Sequence, residues 1–272
     1  MVYLLVIGGF FILAAFCWWQ NNGIVVTHVE YAGKKVPPSF NGFKILQVSD
    51  LHNKSFGKAQ MKLLAKAAAI KPDIITVTGD LIDKRREGTA AAMAFISQAV
   101  KTASVYYVPG NHEYTAGIYQ KLKGKLRACG VMVADGETIQ LDKNGQHIVL
   151  IGIKDKVFYI NDEAFERKLE ELSQKHRGSF RVLLSHSPEK FKLYHQNGFD
   201  LTLSGHAHGG QWRLPLIGGL YAPHQGAFPK YTSGLHMKNG KGMVVSRGLG
   251  NSLFPLRLFN RPELVVITLR HG

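Results

Sequence analysis

The segment DIITVTGD, residues 73–80, is an apolar run of strand length that ends in a glycine and a carboxylate. Two similar segments flank it, KILQVSD (44–50) before it and SVYYVPGNHE (104–113) after it. Helix-like segments, 58–70 and 89–100, lie between these three runs. Strands that alternate with helices in this way form a parallel sheet with the helices packed outside it. The first half of the chain is therefore predicted to be α/β.

The second half of the chain has a different pattern. Asn-Gly pairs at 144–145 and 239–240 stand between extended runs, which is a strong signal for β-hairpins. A helix is predicted at about 162–176, and strands are predicted at 180–188 and 200–208. The whole chain is therefore expected to be an α/β protein with two sheets, one fed by each half.

The composition is that of an ordinary globular protein, with 45% hydrophobic and 19% charged residues among 272. One domain, residues 21–272, is the simplest interpretation. The 34 Lys and Arg against 19 Asp and Glu give a net charge of +15, which favours anionic partners. The basic residues are scattered, without the aromatic interleaving that binds single strands, so nucleic acid is not expected as a partner.

The N-terminal segment VYLLVIGGFFILAAFCWW, residues 2–19, contains no charged or strongly polar side chain. It approaches the length of about 20 residues that a helix needs to cross a bilayer. A cleaved signal peptide is one alternative, but no Lys or Arg precedes the run and no small-residue cleavage site follows it. A buried core helix is the other alternative, but core helices are rarely apolar on every face. We predict an uncleaved single-pass membrane anchor at residues 1–20.

The side of the membrane is indicated only by charge. Lys34 and Lys35 lie close enough to the apolar segment to bias its orientation, and no basic side chain precedes it. This asymmetry favours the domain on the cytoplasmic side, next to an anionic leaflet.

Polar side chains follow five of the predicted strands at the point where each strand ends. They are Asp50 and His52, then Asp80, then Asn111 with His112 and Glu113, then His186, and finally His206 and His208. Ligands of open α/β sheets bind beyond the carboxyl ends of the strands. Any one of these residues could instead cap a helix or occupy an ordinary turn. Five such strand ends in succession are hard to assign to chance.

The residue types suit two neighbouring divalent ions, which need several oxygen and imidazole ligands and a carboxylate that bridges both. The spacing of Asp50 and His52, and of His206 and His208, would place both members of each pair on one side of an extended backbone. Glycines before Asp80, Asn111 and His206 would allow sharp turns. Carboxylate, amide and imidazole ligands without a thiolate suit Mn²⁺, Fe or Zn²⁺.

The motifs D-x-H, G-D, G-N-H-E, a strand-end His and G-H-x-H occur in that order over residues 50–208. In this order they resemble the calcineurin-like metallophosphoesterase family. The resemblance implies a four-layer α/β/β/α sandwich, two mixed sheets flanked by helices, with two metal ions, Mn²⁺ by preference, at the sheet ends. It also implies the metal ligands. One ion would be bound by Asp50, His52, His208 and Asp80, and Asp80 would bridge to a second ion bound by Asn111, His186 and His206.

His112 is not a metal ligand in this scheme. It can reach the phosphoryl oxygens and act as the general acid for the leaving group. Asp83 matches a family position that orients this histidine, and the alternative for Asp83 is a charge at a helix N-terminus. Glu113 is predicted to be structural. A water activated by the two ions would attack phosphorus, so that no covalent enzyme intermediate is needed.

The run GHAHGGQWRLP (205–215) resembles the membrane-anchored bacterial branch of the family. Some members of that branch resemble UDP-2,3-diacylglucosamine pyrophosphate hydrolases of lipid A synthesis, and others are broad phosphodiesterases. We expect a phosphorylated small-molecule or lipid-linked substrate, hydrolysed at a phosphodiester or pyrophosphate bond at the membrane surface. UDP-2,3-diacylglucosamine is the specific prediction.

Three alternatives to that substrate stay open: a broad phosphodiesterase, a phosphomonoesterase acting on phosphoprotein, and a non-catalytic scaffold. A scaffold should have lost metal ligands, whereas every ligand position of the motifs is filled here. The apolar segments 209–231 and 251–262 are a second open question. They are either a cover packed over the second sheet or a rim that meets lipid or an acyl chain.

Overall fold

The computed structural model describes residues 1–252 and 254–272. These residues form seven α-helices: α1 Val2–Asn22, α2 Met61–Ile70, α3 Ala90–Ala99, α4 Asn111–Thr115, α5 Tyr119–Ala128, α6 Asp162–Gln174 and α7 Phe191–Gln196. They also form sixteen strands: β1 Val25–Gly33, β2 Lys44–Val48, β3 Ile74–Thr78, β4 Ser104–Val108, β5 Met132–Val133, β6 Thr138–Lys143, β7 Gln146–Gly152, β8 Phe180–Leu184, β9 Leu201–Ser204, β10 Arg213–Leu214, β11 Gly218–Gly219, β12 Tyr221–Ala222, β13 Gly226–Ala227, β14 Gly234–Lys238, β15 Lys241–Val245 and β16 Glu263–His271.

The first sheet has the strand order β1-β16-β2-β3-β4-β5. Strands β2 to β5 are parallel, β16 runs antiparallel to β2, and β1 lies parallel to β16 at the edge. The expectation that each half of the chain feeds its own sheet is therefore wrong for β16. This strand is a nearly continuous buried apolar run, and such a run needs neighbouring strands on both sides and cover on both faces.

The second sheet has the order β14-β15-β9-β8-β7-β6. Its four central strands are parallel, and each edge strand is joined to its neighbour by an antiparallel hairpin. The two hairpins turn at Asn144-Gly145 and Asn239-Gly240, as the sequence predicts, and all four of these residues have positive φ. Residues in that conformation are the ones a two-residue hairpin turn requires.

Three apolar layers hold the sheets and helices together. The first lies between the first sheet and helices α2, α3 and α5, and includes Leu63, Phe95 and Leu122. The second, which includes Ile45 and Val182, lies between the two sheets. The third lies between the second sheet and helices α6 and α7 and includes Val149, Phe165, Leu169, Phe191 and Tyr194. The predicted four-layer α/β/β/α sandwich is confirmed, and the predicted helices at 89–100 and 162–176 differ from α3 and α6 by one or two residues at their ends.

Helix α1 projects from the sandwich. Within the described part of the chain it is the helix that is long and apolar enough to cross a membrane. Residues 1–15 are exposed, whereas Gln20 and Asn21 are buried against the domain. Val25, the first residue of β1, pairs with Glu263, the first residue of β16. Because β16 runs antiparallel to β2, the C-terminus of α1 lies at the end of the sheet where β2 ends. We call this the site end of the sandwich, since the predicted ligands follow β2, β3, β4, β8 and β9.

Candidate metal centre

The strand-end residues converge at the site end. The atoms of six of them form two groups whose members lie within 4.8 Å of one another: Asp50, His52 and His208 in one group, and Asp80, His186 and His206 in the other. The seventh, Asn111, follows β4 as the first residue of α4. Its Oδ1 is buried without a hydrogen-bond partner in the described part of the chain. Six of the seven sequence-predicted ligands therefore lie at one site, and Asn111 precedes His112, which groups with His52 and Asp80.

In the first group two imidazole nitrogens face each other beside a carboxylate. His52 Nε2 lies 3.1 Å from His208 Nε2, and Asp50 Oδ1 lies 3.5 Å from His208 Nε2 and 3.9 Å from His52 Nε2. All three side chains are at most 4% exposed. The group is thus shielded from water and has three donor atoms directed toward one point.

The second group repeats this arrangement, and Asp80 connects the two. His186 Nε2 lies 3.1 Å from His206 Nδ1 and 3.1 Å from Asp80 Oδ2. The same Asp80 Oδ2 is 3.6 Å from His52 Nε2 in the first group. The other oxygen of Asp80, Oδ1, accepts a hydrogen bond from the His112 N–H at 2.9 Å. One carboxylate therefore faces both groups, as a bridging ligand must.

The backbone at these residues is left-handed, which corrects one expectation. Asp50, His52, Asp80, His206 and His208 have φ between 47° and 65°, so Asp50/His52 and His206/His208 do not lie on extended backbone. Such angles are uncommon for residues with a Cβ and cost of order 1–3 kcal/mol each. The strain is stored where the side chains converge, at the ends of β2, β3 and β9.

The glycines before the ligands serve two purposes. Gly79 has φ +92°, and there the predicted sharp turn is present. Gly110 does not have positive φ, and a Cβ there would overlap the Asp80 carboxylate. Likewise, a Cβ on Gly205 would overlap the side chains of Ser49 and Asp50. At these two positions the reason for glycine is close approach of the backbone to a ligand, and not a turn.

The donor set fits divalent cations. The Nδ1–H of His186 is directed at the Thr78 carbonyl oxygen at 2.7 Å, which leaves a lone pair on Nε2 facing His206 Nδ1 and Asp80. Lone pairs that face each other at 3.1 Å repel unless a proton or a cation lies between them. Binding of cations would relieve these contacts.

The protonation states agree with this chemistry. Burial lowers the pKa of His52, His206 and His208 well below the usual histidine value, so all three are neutral and able to donate a lone pair. Burial alone would raise the pKa of Asp80, but His186 and His52 beside it outweigh burial and hold that pKa well below the usual range. Burial also raises the pKa of Asp50 to about 6. The pKa of His186 is raised well above normal because Asp80 outweighs the effect of burial, so a cation that binds at Nε2 must displace a proton from it.

His112 lies beside this centre and contacts Asp83. Its Nδ1 is 3.3 Å from Asp83 Oδ1 and 3.1 Å from the Lys84 N–H. The neutral ring can accept from Lys84, whereas the protonated ring can donate to Asp83. The alternative assignment of Asp83 as a helix N-terminal charge is wrong, because Asp83 lies in a loop seven residues before α3 begins at Ala90. His112 also groups with His52 and Asp80 within 4.8 Å, so it lies at ligand distance from the centre.

Glu113 holds the loop that carries Asp80. Its fully buried carboxylate accepts the N–H groups of Gly110 at 2.8 Å, Asp80 at 3.0 Å and Leu81 at 2.7 Å. These bonds join the β3 and β4 loops directly behind the ligands. Burial, followed by the nearby Asp80, raises the pKa of Glu113 to about 8. The structure agrees with the structural role expected for this residue.

A family model described as calcineurin-like phosphoesterase matches residues 43–210, which include every residue of the two groups. The chain belongs to this family. Members of the calcineurin-like phosphoesterase family use a dinuclear divalent metal site, and this phosphoesterase has the ligand clusters for one. It is a metal-dependent hydrolase of phosphoesters.

Three relatives can be aligned with most of the sequence of this phosphoesterase. An uncharacterized metallophosphoesterase, YkuE of Bacillus subtilis, is 30% identical over 92% of this chain and 87% of its own length. The phosphodiesterase YaeI of Escherichia coli is 30% identical over 84% of this chain and 82% of its own. A Bos taurus transmembrane protein with a metallophosphoesterase domain is 28% identical over 90% of this chain and 57% of its own.

Two residues near the centre were not found from the sequence. Asn260 donates to the carbonyl oxygens of His208 at 2.7 Å and Gln211 at 2.8 Å, which holds the loop that presents His208. Arg257 is buried and donates to the carbonyl oxygens of Gly250 and Arg247; burial lowers its pKa to about 10. Both lie in the irregular segment 251–262, of which residue 253 lies outside the described residues. The one available signal was polar side chains inside an otherwise apolar segment.

Proposed function

We propose that this phosphoesterase hydrolyses phosphodiester or pyrophosphate bonds at a membrane surface, with two divalent cations as cofactors. The ligands would be the seven strand-end residues: Asp50, His52, Asp80, Asn111, His186, His206 and His208. The position of the Asp80 carboxylate, between the two groups and within 3.6 Å of a histidine in each, carries the proposal. Mn²⁺ is the proposed metal, and Fe and Zn²⁺ fit the same mixture of oxygen and nitrogen donors.

The ions, when bound, supply Lewis acidity toward the phosphoryl oxygens and lower the pKa of a water so that it can act as the nucleophile. The chain holds the ligands in the geometry that this chemistry needs. Asp80 is fixed from behind by Glu113, and His208 is fixed by Asn260. Because these positions are set before substrate binds, little reorganisation is needed during the reaction.

His112 is proposed as the general acid that protonates the leaving group. Its backbone N–H is bonded to Asp80 Oδ1, which keeps the ring beside the centre, and Asp83 lies 3.3 Å from its Nδ1. Burial lowers the pKa of His112, and the Asp80 and Asp83 carboxylates oppose that shift. Donation from Nδ1–H to Asp83 would therefore stabilise the protonated ring. Asp83 thus acts through His112 and is a positioning residue.

Helix α1 is proposed to anchor the protein in a bilayer, with the catalytic domain, residues 21–272, on the cytoplasmic side. Its length, its exposed apolar body and the name of the Bos taurus relative support the anchor. Lys34 and Lys35 and the positive charge of the chain support the cytoplasmic side. The membrane would then bring lipid-linked phosphoesters to the site.

UDP-2,3-diacylglucosamine is the proposed substrate, as a pyrophosphate with two acyl chains that an anchored enzyme would meet in the bilayer. A broad phosphodiesterase is the second candidate, and the name of the Escherichia coli relative favours it. The two candidates differ in whether the acyl chains contribute to recognition. A phosphomonoesterase would differ from both because its substrate carries a terminal phosphoryl group with a single ester bond.

The test uses the full chain purified in detergent, assayed with Mn²⁺ against UDP-2,3-diacylglucosamine, bis-(p-nitrophenyl) phosphate and p-nitrophenyl phosphate. A preference for the acylated pyrophosphate supports the specific substrate. Comparable rates on the acylated pyrophosphate and on bis-(p-nitrophenyl) phosphate would favour the broad phosphodiesterase. The fastest rate on p-nitrophenyl phosphate would favour the phosphomonoesterase. A protein that binds no divalent metal and hydrolyses none of the three would contradict the proposed function.

A further inference from the structure

We propose that the site end docks on an anionic bilayer through a lipid-facing rim of its own, and that α1 is not the domain's sole membrane contact. The rim consists of Trp212, Leu214, Leu216, Ile217, Phe254 and Phe259. This inference rests on the anchoring of α1 proposed above. It adds a second contact surface and places the metal centre at the level of the lipid headgroups.

The rim is an exposed apolar patch built from two distant segments of the chain. Leu216 is fully exposed at the turn between β10 and β11, and Ile217 beside it is more than half exposed. Trp212 and Phe254 contact each other, with ring centroids 5.5 Å apart. Phe259 and residues 213–218 line one open cavity of about 460 Å³. Contiguous exposed apolar surface of this kind marks a contact with a partner or with lipid.

The contacts of α1 set the depth of the rim. The ring of Phe16 packs against the ring of Phe259 at 5.8 Å between centroids. Phe16 precedes Trp19 by three residues, which is about 4.5 Å along the helix axis. Where α1 crosses a bilayer, Trp19 lies near the interface, so Phe16 lies deeper, on the apolar side. Phe259 then lies no more than 5.8 Å from that depth, because this is the distance between the two ring centroids.

The charges around the rim suit anionic headgroups. Segments 209–231 and 251–262 contain no Asp or Glu. The guanidinium of Arg261 lies 4.4 Å from the ring centre of Trp19, and the ammonium of Lys62 lies 5.9 Å from that of Trp18. Arg213 lines the same cavity as Phe259. Basic side chains near the membrane surface are attracted to the phosphates of anionic lipids, which lie at the level of interfacial tryptophans.

The rim is close in the chain and in space to the metal centre. Trp212 follows His208 by four residues. Asn260, next to Phe259, donates to the His208 carbonyl oxygen. With the rim in the interface, a lipid phosphoester would reach the centre without leaving the bilayer. A second copy of the chain is a less suitable occupant, because the basic residues around the rim would then face one another.

The three tryptophans of the chain allow a direct test. The full chain is reconstituted into nanodiscs of anionic phospholipid, with or without bromine on the acyl carbons nearest the headgroup. One variant, W18F with W19F, keeps only Trp212, and the other, W212F, keeps only Trp18 and Trp19. We expect brominated lipid to quench about half of the emission of Trp212, because that ring lies in the interface.

Two negative results are distinguishable. Quenching of Trp18 and Trp19 but not of Trp212 would overturn the docking rim and leave the anchor intact. Absence of quenching in both variants would overturn the anchor, and the rim with it.

A second pair of variants links docking to turnover. In the Trp212-only background, Leu216→Asp should reduce quenching of Trp212, because a carboxylate is unfavourable in the apolar part of the interface. The rate on a bilayer-embedded phosphodiester, divided by the rate on a soluble one, should fall by about tenfold. The matched control is Met237→Asp, which places the same charge at a half-exposed position at the opposite end of the sandwich, and should change neither quantity. An unchanged rate ratio in Leu216→Asp would contradict the proposal.

Discussion

The two ends of the sandwich use the same backbone conformation for different purposes. At the end opposite the metal centre, left-handed residues lie at Asn144 and Asn239, each followed by glycine in a hairpin turn. At the site end, left-handed residues include Asp50, Asp80 and His206, which are buried and follow central strands. Asn adopts this conformation in an exposed turn that requires it, whereas the Asp and His residues adopt it in buried positions where their side chains converge.

The difference shows how stability and function are separated in this fold. At the far end the residues of each turn are exposed to solvent and contact none of the metal ligands, so a change there should affect stability alone. At the site end the side chains are held by residues from distant parts of the chain, such as Glu113 and Asn260. A change there should affect metal binding or turnover first. Five substitutions test this contrast.

The largest effect is expected from Asp80→Ala, which removes a carboxylate that lies within 3.6 Å of a histidine in each group. We expect activity to fall by about 10³-fold or more, because charge stabilisation at the reacting phosphoryl group is lost, and metal content to fall by elemental analysis. The matched variant at the far end, Asp73→Ala, removes an exposed carboxylate bonded to the Lys44 N–H and should retain both activity and metal. Full activity in Asp80→Ala would show that the bridging role is misassigned.

His112→Ala should lower turnover by about 10²- to 10⁴-fold, the usual contribution of a general acid, while both metal ions are retained. The loss should be largest for a diester with an alkoxide leaving group and smaller for bis-(p-nitrophenyl) phosphate, whose leaving group needs little protonation. Loss of metal in this variant would instead assign His112 as a ligand, a role that its distance from His52 and Asp80 also allows.

Asp83→Asn should lower turnover by about 10- to 100-fold, the range for a residue that positions a functional histidine. If Asp83 acts through His112, the double variant with His112→Ala should be no slower than His112→Ala alone. The same dependence on the leaving group should appear in both single variants. Multiplicative losses in the double variant would mean that Asp83 acts independently, for example through its ion pair with Arg85.

Glu113→Gln should reduce the free energy of unfolding by about 1–3 kcal/mol, because an amide cannot accept all the backbone N–H bonds that the buried carboxylate accepts. Denaturant unfolding of the detergent-solubilised protein measures this. The comparison at the far end is Glu30→Gln, which breaks an exposed ion pair with Arg270 and should cost at most about 1 kcal/mol. Equal losses of stability in the two variants would show that the buried bonds of Glu113 contribute no more than an exposed ion pair.

Asn239→Ala should show the smallest effect, a loss of about 1 kcal/mol in stability with unchanged turnover, because alanine is strained at this left-handed turn position. Thermal unfolding and a diester assay measure the two quantities. A loss of turnover here would mean that the far end is coupled to the metal centre through the second sheet.

Much of the fold was predictable from local patterns. The strand–helix alternation before residue 113 and the two Asn-Gly pairs are short-range signals, and each is present in the structure where it was expected. The position of β16 was not predictable, because an apolar run does not specify which sheet it joins. The short helices α4 and α7 were also missed, since five or six residues carry too little periodicity.

The metal centre was predictable in its residues and not in its geometry. Asp, Asn and His after successive strands pointed to one site, because parallel strands end at the same edge. The left-handed conformations of Asp50 and His208 could not be read from their types, since only a minority of Asp and His residues adopt them. The contribution of Asn260 depends on a contact with His208 across 52 positions of the chain, which no local pattern encodes.

The junction between α1 and the domain has a consequence for how far the enzyme reaches. Only Gly23 and Ile24 separate α1 from β1, and the Asn21 side chain accepts from Asn251 at 3.1 Å and from the Arg257 N–H at 3.0 Å. A domain on a long flexible linker can vary its distance from the membrane, whereas this short and hydrogen-bonded junction holds the domain against α1. With α1 in a bilayer, the catalytic groups would stay at a fixed distance from the membrane surface and would reach phosphates at that distance.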